Sequence, residues 1–148
     1  MAKQLYAVLR KDNIHKEVEL SLKGGKGAFQ QISGVLLGLN TYLVHILYKK
    51  EIISVYKHAI AYSQLKSDSI KELTREYPEN ELNVFSRHNI NNEILLTLMT
   101  SDGSFQQING TLLDIGRYEV HIMYRKKITS IYKDAVAYGQ VTKEVKNS

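Results

Sequence analysis

The sequence predicts a mainly β fold: two tandem units, each a small, five-stranded, strongly bent barrel preceded by a short α-helix. Three observations predict it. Laying Glu17 over Glu93 aligns 17–65 with 93–141 without a gap, and 25 of those 49 pairs are identical. Segments such as EVELSL and EILLTL alternate apolar and polar residues, with Val18, Leu20 and Leu22 on one face. Runs such as YLVHILY and IISVYKHAIAY are rich in the β-branched and aromatic residues that pack well on a pleated surface. A self-match of that length marks an internal duplication.

The first unit is expected to open with a helix whose Leu5, Val8 and Leu9 share a face and whose end carries Arg10 and Lys11. Strands follow near 17–23, 28–37, 41–48, 51–56 and 59–64. Gly24, Gly25 and Gly27 mark the turn after the first. Gly34 falls inside the second, where a glycine permits a sharp bend. The stretch KSDSIKELTREY starts with Ser and Asp and spaces Ile70, Leu73 and Tyr77 as a helix does, so 66–77 reads as a helical linker. Pro78 suits the first turn of the next helix, in which Leu82 and Phe85 take the apolar role. The same strands then recur in the second unit, with Asp102-Gly103 as a turn and Gly110 as the counterpart of Gly34. The domains are thus 1–65 and 78–148. Units of this size have thin cores and gain from association. Their last strands, IISVY and AIAYSQ, would present open edges, and head-to-tail edge pairing closes rings.

Composition narrows the function. The chain has 148 residues, 43 % hydrophobic and 24 % charged, as globular proteins do. It has no cysteine, which excludes disulfides and thiolate metal sites. No apolar run reaches the roughly 18 residues of a spanning helix, and no secretory leader pattern opens the chain, so the expected location is cytoplasmic. The net charge of +5 is uneven: residues 1–65 hold 9 Lys/Arg against 4 Asp/Glu, and 66–148 hold 11 against 11. A basic half points either to a polyanionic partner or to a solvated surface.

The repeated residues resemble the Hfq-like RNA chaperones of the Sm/LSm superfamily. The Tyr-Lys-His-Ala run at 56–59 is similar to that family's second Sm motif, and GVLLGLNTY at 34–42 resembles its first. LYAVLRKDN resembles its N-terminal helix with a basic end. The resemblance spans nearly all of both units and omits the linker and the last few residues. It implies an SH3-like barrel in each unit and a ring of six folds, hence three tandem chains forming a pseudo-hexamer. It also implies that uridine-rich single-stranded RNA binds near a central pore. The matching positions are Asn40, Tyr42, Tyr56, Lys57 and His58, then Gly116, Tyr118, Tyr132, Lys133 and Asp134. On the rim the implied RNA contacts are Arg10, Lys11 and Arg87. A third family surface stacks adenine on an aromatic of the first strand, where this chain has Glu19 and Leu95.

The chemistry of these residues is compatible with that role and with plainer ones. Tyr42 and Tyr118 either stack on bases, at about 1–3 kcal/mol per base, or sit in the core with a satisfied hydroxyl. Lys57 and Lys133 are point charges for phosphate or solvated lysines at strand ends. His58 can donate and accept, whereas Asp134 only accepts when ionised and repels phosphate. His45 and His121 lie between apolar neighbours and read as structural or interface residues. No metal set, cofactor motif or nucleophile–base–orienter arrangement stands out. The expected function is therefore non-enzymatic RNA binding, extending to annealing of two strands. The alternative is a structural or scaffolding ring that has given RNA up.

Overall fold

The computed structural model describes residues 7–23 and 30–144. Ten strands form one antiparallel sheet: β1 Lys16–Leu22, β2 Gln30–Leu39, β3 Leu43–Tyr48, β4 Glu51–Tyr56, β5 Ile60–Ile70, β6 Glu93–Met99, β7 Phe105–Ile115, β8 Glu119–Tyr124, β9 Lys127–Tyr132 and β10 Val136–Lys143. Their order across the sheet is β5-β1-β2-β3-β4-β10-β6-β7-β8-β9. Strands β1–β5 and β6–β10 therefore repeat one connectivity. Local backbone geometry repeats too. The non-glycine residues with positive φ include His15 and Asn91, Lys49 and Arg125, and Lys50 and Lys126, each pair equivalent in the repeat. Two successive residues of this kind at 49–50 and 125–126 make tight hairpin turns whose twist suits the strands they join.

The glycines inside β2 and β7 are required by close approach. A Cβ on Gly34 would lie 2.3 Å from the Leu47 carbonyl oxygen, and one on Gly110 would lie 2.6 Å from that of Met123. Both strands thus fold tightly over their neighbours, and each pairing slips register just beyond the glycine. The turn at Asp102-Gly103 is present: Gly103 has φ 86° and donates to Thr100 O, while Asp102 Oδ1 accepts from Ser104 N. These hydroxyl and amide bonds hold the Asp102 carboxyl down at about 2. The turn expected at Gly24, Gly25 and Gly27 lies outside the described residues.

Two expectations need correction. The linker is not helical. β5 runs on to Ile70 along β1, with Lys16 opposite Ile70 and Lys71 N donating to His15 O at 2.7 Å. Lys16 Nζ also meets Asp68 Oδ1 at 2.8 Å. An added rung of ladder satisfies backbone groups at once, whereas a two-turn helix must first cover its nucleation cost. Residues 71–78 then carry no helix or strand. The N-terminal helix is likewise absent over 7–10, and Leu5 lies outside the described residues. Among the described residues a 3-10 turn, Lys11–Asn13, precedes β1. The second half has one α-helical turn, α1 Glu79–Leu82, and a 3-10 turn, Arg87–Asn89. Buried Asn13 and Asn89 fasten these segments: their side-chain amides donate to Val8 O at 2.8 Å and Val84 O at 2.9 Å.

The halves join through β4 and β10, with Tyr138 opposite Val55, Gly139 opposite Ser54 and Gln140 opposite Ile53. Each half lends residues to the other's core. Ala137 and Tyr138 pack with Val18, Leu36 and Ile53, while Leu43 and Tyr56 pack with Phe85, Leu96 and Val136. The edges left at the ends of the sheet are β5 and β9. Among the described residues no helix is long and apolar enough to cross a membrane.

Candidate nucleic-acid interface

The seam between β4 and β10 builds the site. After β4 the chain turns through a 3-10 turn, Lys57–Ala59, and after β9 through its counterpart, Lys133–Ala135. Each turn is tied to a loop of its own half. Lys57 N donates to Tyr42 O at 2.8 Å and Lys133 N to Tyr118 O at 2.9 Å. The two loops and two turns line one open cavity of about 660 Å³, together with Asn83, Phe85 and Arg117. It brings together Asn40, Tyr42, Tyr56, Lys57, His58, Tyr118, Tyr132, Lys133 and Asp134, nine of the ten positions that the resemblance sets near a pore; Gly116 is not in its lining.

The side chains differ in availability. Tyr42 and Tyr118 are 72 % and 66 % exposed and present their rings to solvent. The Arg117 guanidinium lies 5.2 Å from the Tyr118 ring centroid, a cation over a π face. Tyr56 is different: only 4 % of it is exposed, and its ring is stacked on His58 at 5.2 Å and tilted against Phe85 at 5.0 Å. Burial pushes its phenol pKa far up, so the ring is a neutral wall and not a stacking platform. Tyr132, its repeat partner, is 66 % exposed. The sequence around the two tyrosines is nearly the same. The difference is that β10 covers β4, whereas β9 lies at the end of the sheet.

Asn40 shapes the first loop. Its Oδ1 accepts from the backbone N–H of Tyr42 and of Leu43, both at 2.9 Å. This Asx-type bridge fixes Tyr42 and leaves the amide N–H groups for a ligand. Gly116 stands at the same place in the second half and has no side chain to do so. His58 Nε2–H donates to Val136 O at 2.9 Å, across the seam. A carbonyl only accepts, so Nε2 carries a proton. Asp134 could not repeat that bond while ionised. Partial burial lowers the pKa of Lys133, a cost to its charged form that a phosphate would offset.

Behind the cavity lies a second buried cluster. Ser54 Oγ donates to Leu82 O at 3.2 Å, accepts from Val84 N at 2.9 Å and meets His45 Nδ1 at 2.9 Å. With the hydroxyl proton on Leu82 O, His45 must donate from Nδ1. Burial drops the His45 pKa to about 4. His121 and Ser130 form the same pair at 2.8 Å in the second half, but in the open. His45 is thus a structural group of the β4–β10 seam, whereas His121 stands in the open beside the end strand β9.

The rim residues do not join the cavity. Arg10 pairs with Asp12 at 3.7 Å and Arg87 with Asp114 at 3.9 Å, on the segments ahead of β1 and β6, and Lys11 begins the 3-10 turn beside Arg10. Glu19 accepts from Ser33 Oγ at 3.0 Å on the β1–β2 surface. Sequence reasoning misses Arg117, Asn83 and Phe85 as cavity residues. Arg117 is findable as the neighbour of Tyr118. Asn83 and Phe85 arrive only because the seam forms. Compared with known protein families and with curated protein sequences, the chain matches none.

Proposed function

We propose that this protein binds single-stranded RNA, preferring uridine-rich stretches, in the cavity at the β4–β10 seam, without catalysis. The observation that carries the reading is the convergence there of three exposed tyrosines, Tyr42, Tyr118 and Tyr132, with Lys57, Lys133 and Arg117 around an open cleft. Rings with free faces stack on bases, and three cations attract a phosphate backbone. The resemblance of 34–42 and 56–59 to the Sm motifs supports the same ligand. Two tandem Sm-like units account for the repeated strand order.

The reading includes assembly. β5 and β9 end the sheet. The β4–β10 pairing, carried forward by one repeat, sets Tyr62 opposite Ile131, Ser63 opposite Ser130 and Gln64 opposite Thr129 of a second copy. Three chains joined this way make a pseudo-hexameric ring. Two strands held on one such surface would anneal faster by proximity alone. The scaffolding alternative draws on Asp134, a carboxylate inside the cavity.

The test is the affinity of a fluorescent oligouridylate for wild type and Lys57→Ala in a salt series. Loss of one phosphate contact should weaken binding about tenfold and flatten the slope of log K against log salt by about one. Equal affinities and slopes would remove the cavity as the binding site and leave the scaffold reading in possession.

A further inference from the structure

Resting on the RNA reading above, we infer that each chain supplies one working nucleotide pocket, not two, and that Gly116, Glu119 and Asp134 switch the second one off. The cavity inside the chain takes one wall from the first half and the other from the second. In the next repeat, the wall formed by Asn40, Leu43 and His58 becomes Gly116, Glu119 and Asp134, which would face the first half of a second copy. The lysine is kept, as Lys57 and Lys133. These three neutral residues beside it are all changed.

Each change has a physical consequence at the inner wall that can be read directly. Asn40 bridges two backbone N–H groups and holds the Tyr42 loop; Gly116 offers no such bridge. Leu43 is buried against Phe85 and Val136 of the opposite half, whereas Glu119 would bring a carboxylate to the same spot. A carboxylate there must either be desolvated or turn into the pocket, and only the second is cheap. His58 spans the seam by donating to Val136 O; the counterpart of that carbonyl is on Ile60, and an ionised Asp134 has no proton to give it. At the outer wall the Asp134 carboxylate, which also borders the inner cavity, is therefore a charge with no proton to give. Two carboxylates beside one lysine reverse the sign of the first wall from attractive to repulsive for phosphate. A ring of such chains has alternating pockets, and a single strand is gripped at every second one.

The experiment counts sites. 5′-phosphorylated diuridylate is short enough to fill one pocket, and equilibrium dialysis against assembled protein gives the number bound per chain. We expect one for wild type. We expect two for Glu119→Leu/Asp134→His. Glu119→Gln, an isosteric change outside the lining of the inner cavity, is expected to add a second, weaker site and leave the first as it is. Two equal sites in wild type would overturn the inference, as would a count that stays at one in both variants. No binding in any form would instead overturn the RNA reading itself, which is a distinct outcome.

Discussion

Ser54 and Ser130 are the same residue of the repeat in opposite surroundings, and replacing each by alanine tests how the halves are held. Ser54 is fully buried, and its Oγ serves Leu82 O, Val84 N and His45 Nδ1. Ser54→Ala leaves the buried Val84 N–H and His45 Nδ1 without partners. Each orphaned group costs about 1–3 kcal/mol, so the loss should total about 2–6 kcal/mol. Ser130 is exposed, and water can replace its one bond to His121. Ser130→Ala should cost about 0.5 kcal/mol in dilute protein. Urea denaturation reads the difference: with a slope of about 2 kcal/mol/M, the Ser54→Ala midpoint should fall by roughly 1–3 M and the Ser130→Ala midpoint hardly at all. Raising the protein concentration should enlarge the Ser130→Ala cost, since the proposed second copy covers that hydroxyl, and leave the Ser54→Ala cost unchanged. Equal midpoint shifts at every concentration would refute the reasoning.

Three further outcomes are expected. The unfolded chain protonates His45 near pH 6.5 and the folded chain not until about 4, so the stability this residue contributes is complete above pH 6.5 and is lost as the pH falls toward 4. The loss is on the order of 3 kcal/mol, and urea midpoints of His45→Asn should show a flatter dependence over that window. Gly34→Ala should destabilise by about 2–3 kcal/mol, because its Cβ would press on the Leu47 carbonyl oxygen at 2.3 Å. Gly38→Ala meets the end of the Leu82 side chain at 3.0 Å and the His45 ring at 3.7 Å and should cost under about 1 kcal/mol, and thermal melts of the two separate them. Finally, the chain has no cysteine, so Ser63→Cys/Ser130→Cys treated with a short bifunctional maleimide should give a ladder of covalent oligomers that stops at a closed trimer. Gln64→Cys/Ser130→Cys, one position out of register, should not; monomer alone in both would exclude the proposed edge pairing.

Much of the sheet is legible in the sequence because alternation and repetition report the same thing. Val18, Leu20 and Leu22 are all fully buried, and the strands other than β5 lie within a few residues of where apolar runs and turns put them. Ile70, Leu73 and Tyr77 mislead because helical spacing is a local signal. The edge of β1 is open to a partner, and the chain extends β5 along it up to Ile70. The triplets at 56–58 and 132–134 are legible as a motif. Their environments are not, since near-identical segments end with Tyr56 buried and Tyr132 exposed. No window of sequence could separate them: the difference is made by β10, which arrives from the far end of the second half.

That asymmetry bears on why the two halves differ where they do. The inner seam is intramolecular, so its strands meet at a high effective concentration whatever the protein concentration. It can be packed to completion: the Phe85 ring lies over Gly139 so closely that a Cβ there would be 2.7 Å from Cζ, and Leu43 and His58 close the gap from the other side. At the outer faces the corresponding residues are Leu9 with Ser63, then Glu119 and Asp134. A smaller apolar group is matched to a larger strand residue, so volume is roughly conserved, while a buried leucine and a donating histidine give way to carboxylates. A seam built this way exchanges tightness for charge. The net positive first half, with 9 Lys/Arg against 4 Asp/Glu over 1–65, is the surface those carboxylates would meet in a second copy. In the proposed assembly, attraction between them would favour head-to-tail contact over pairing of like edges, so the substitutions proposed to silence a pocket would also set the direction in which copies join.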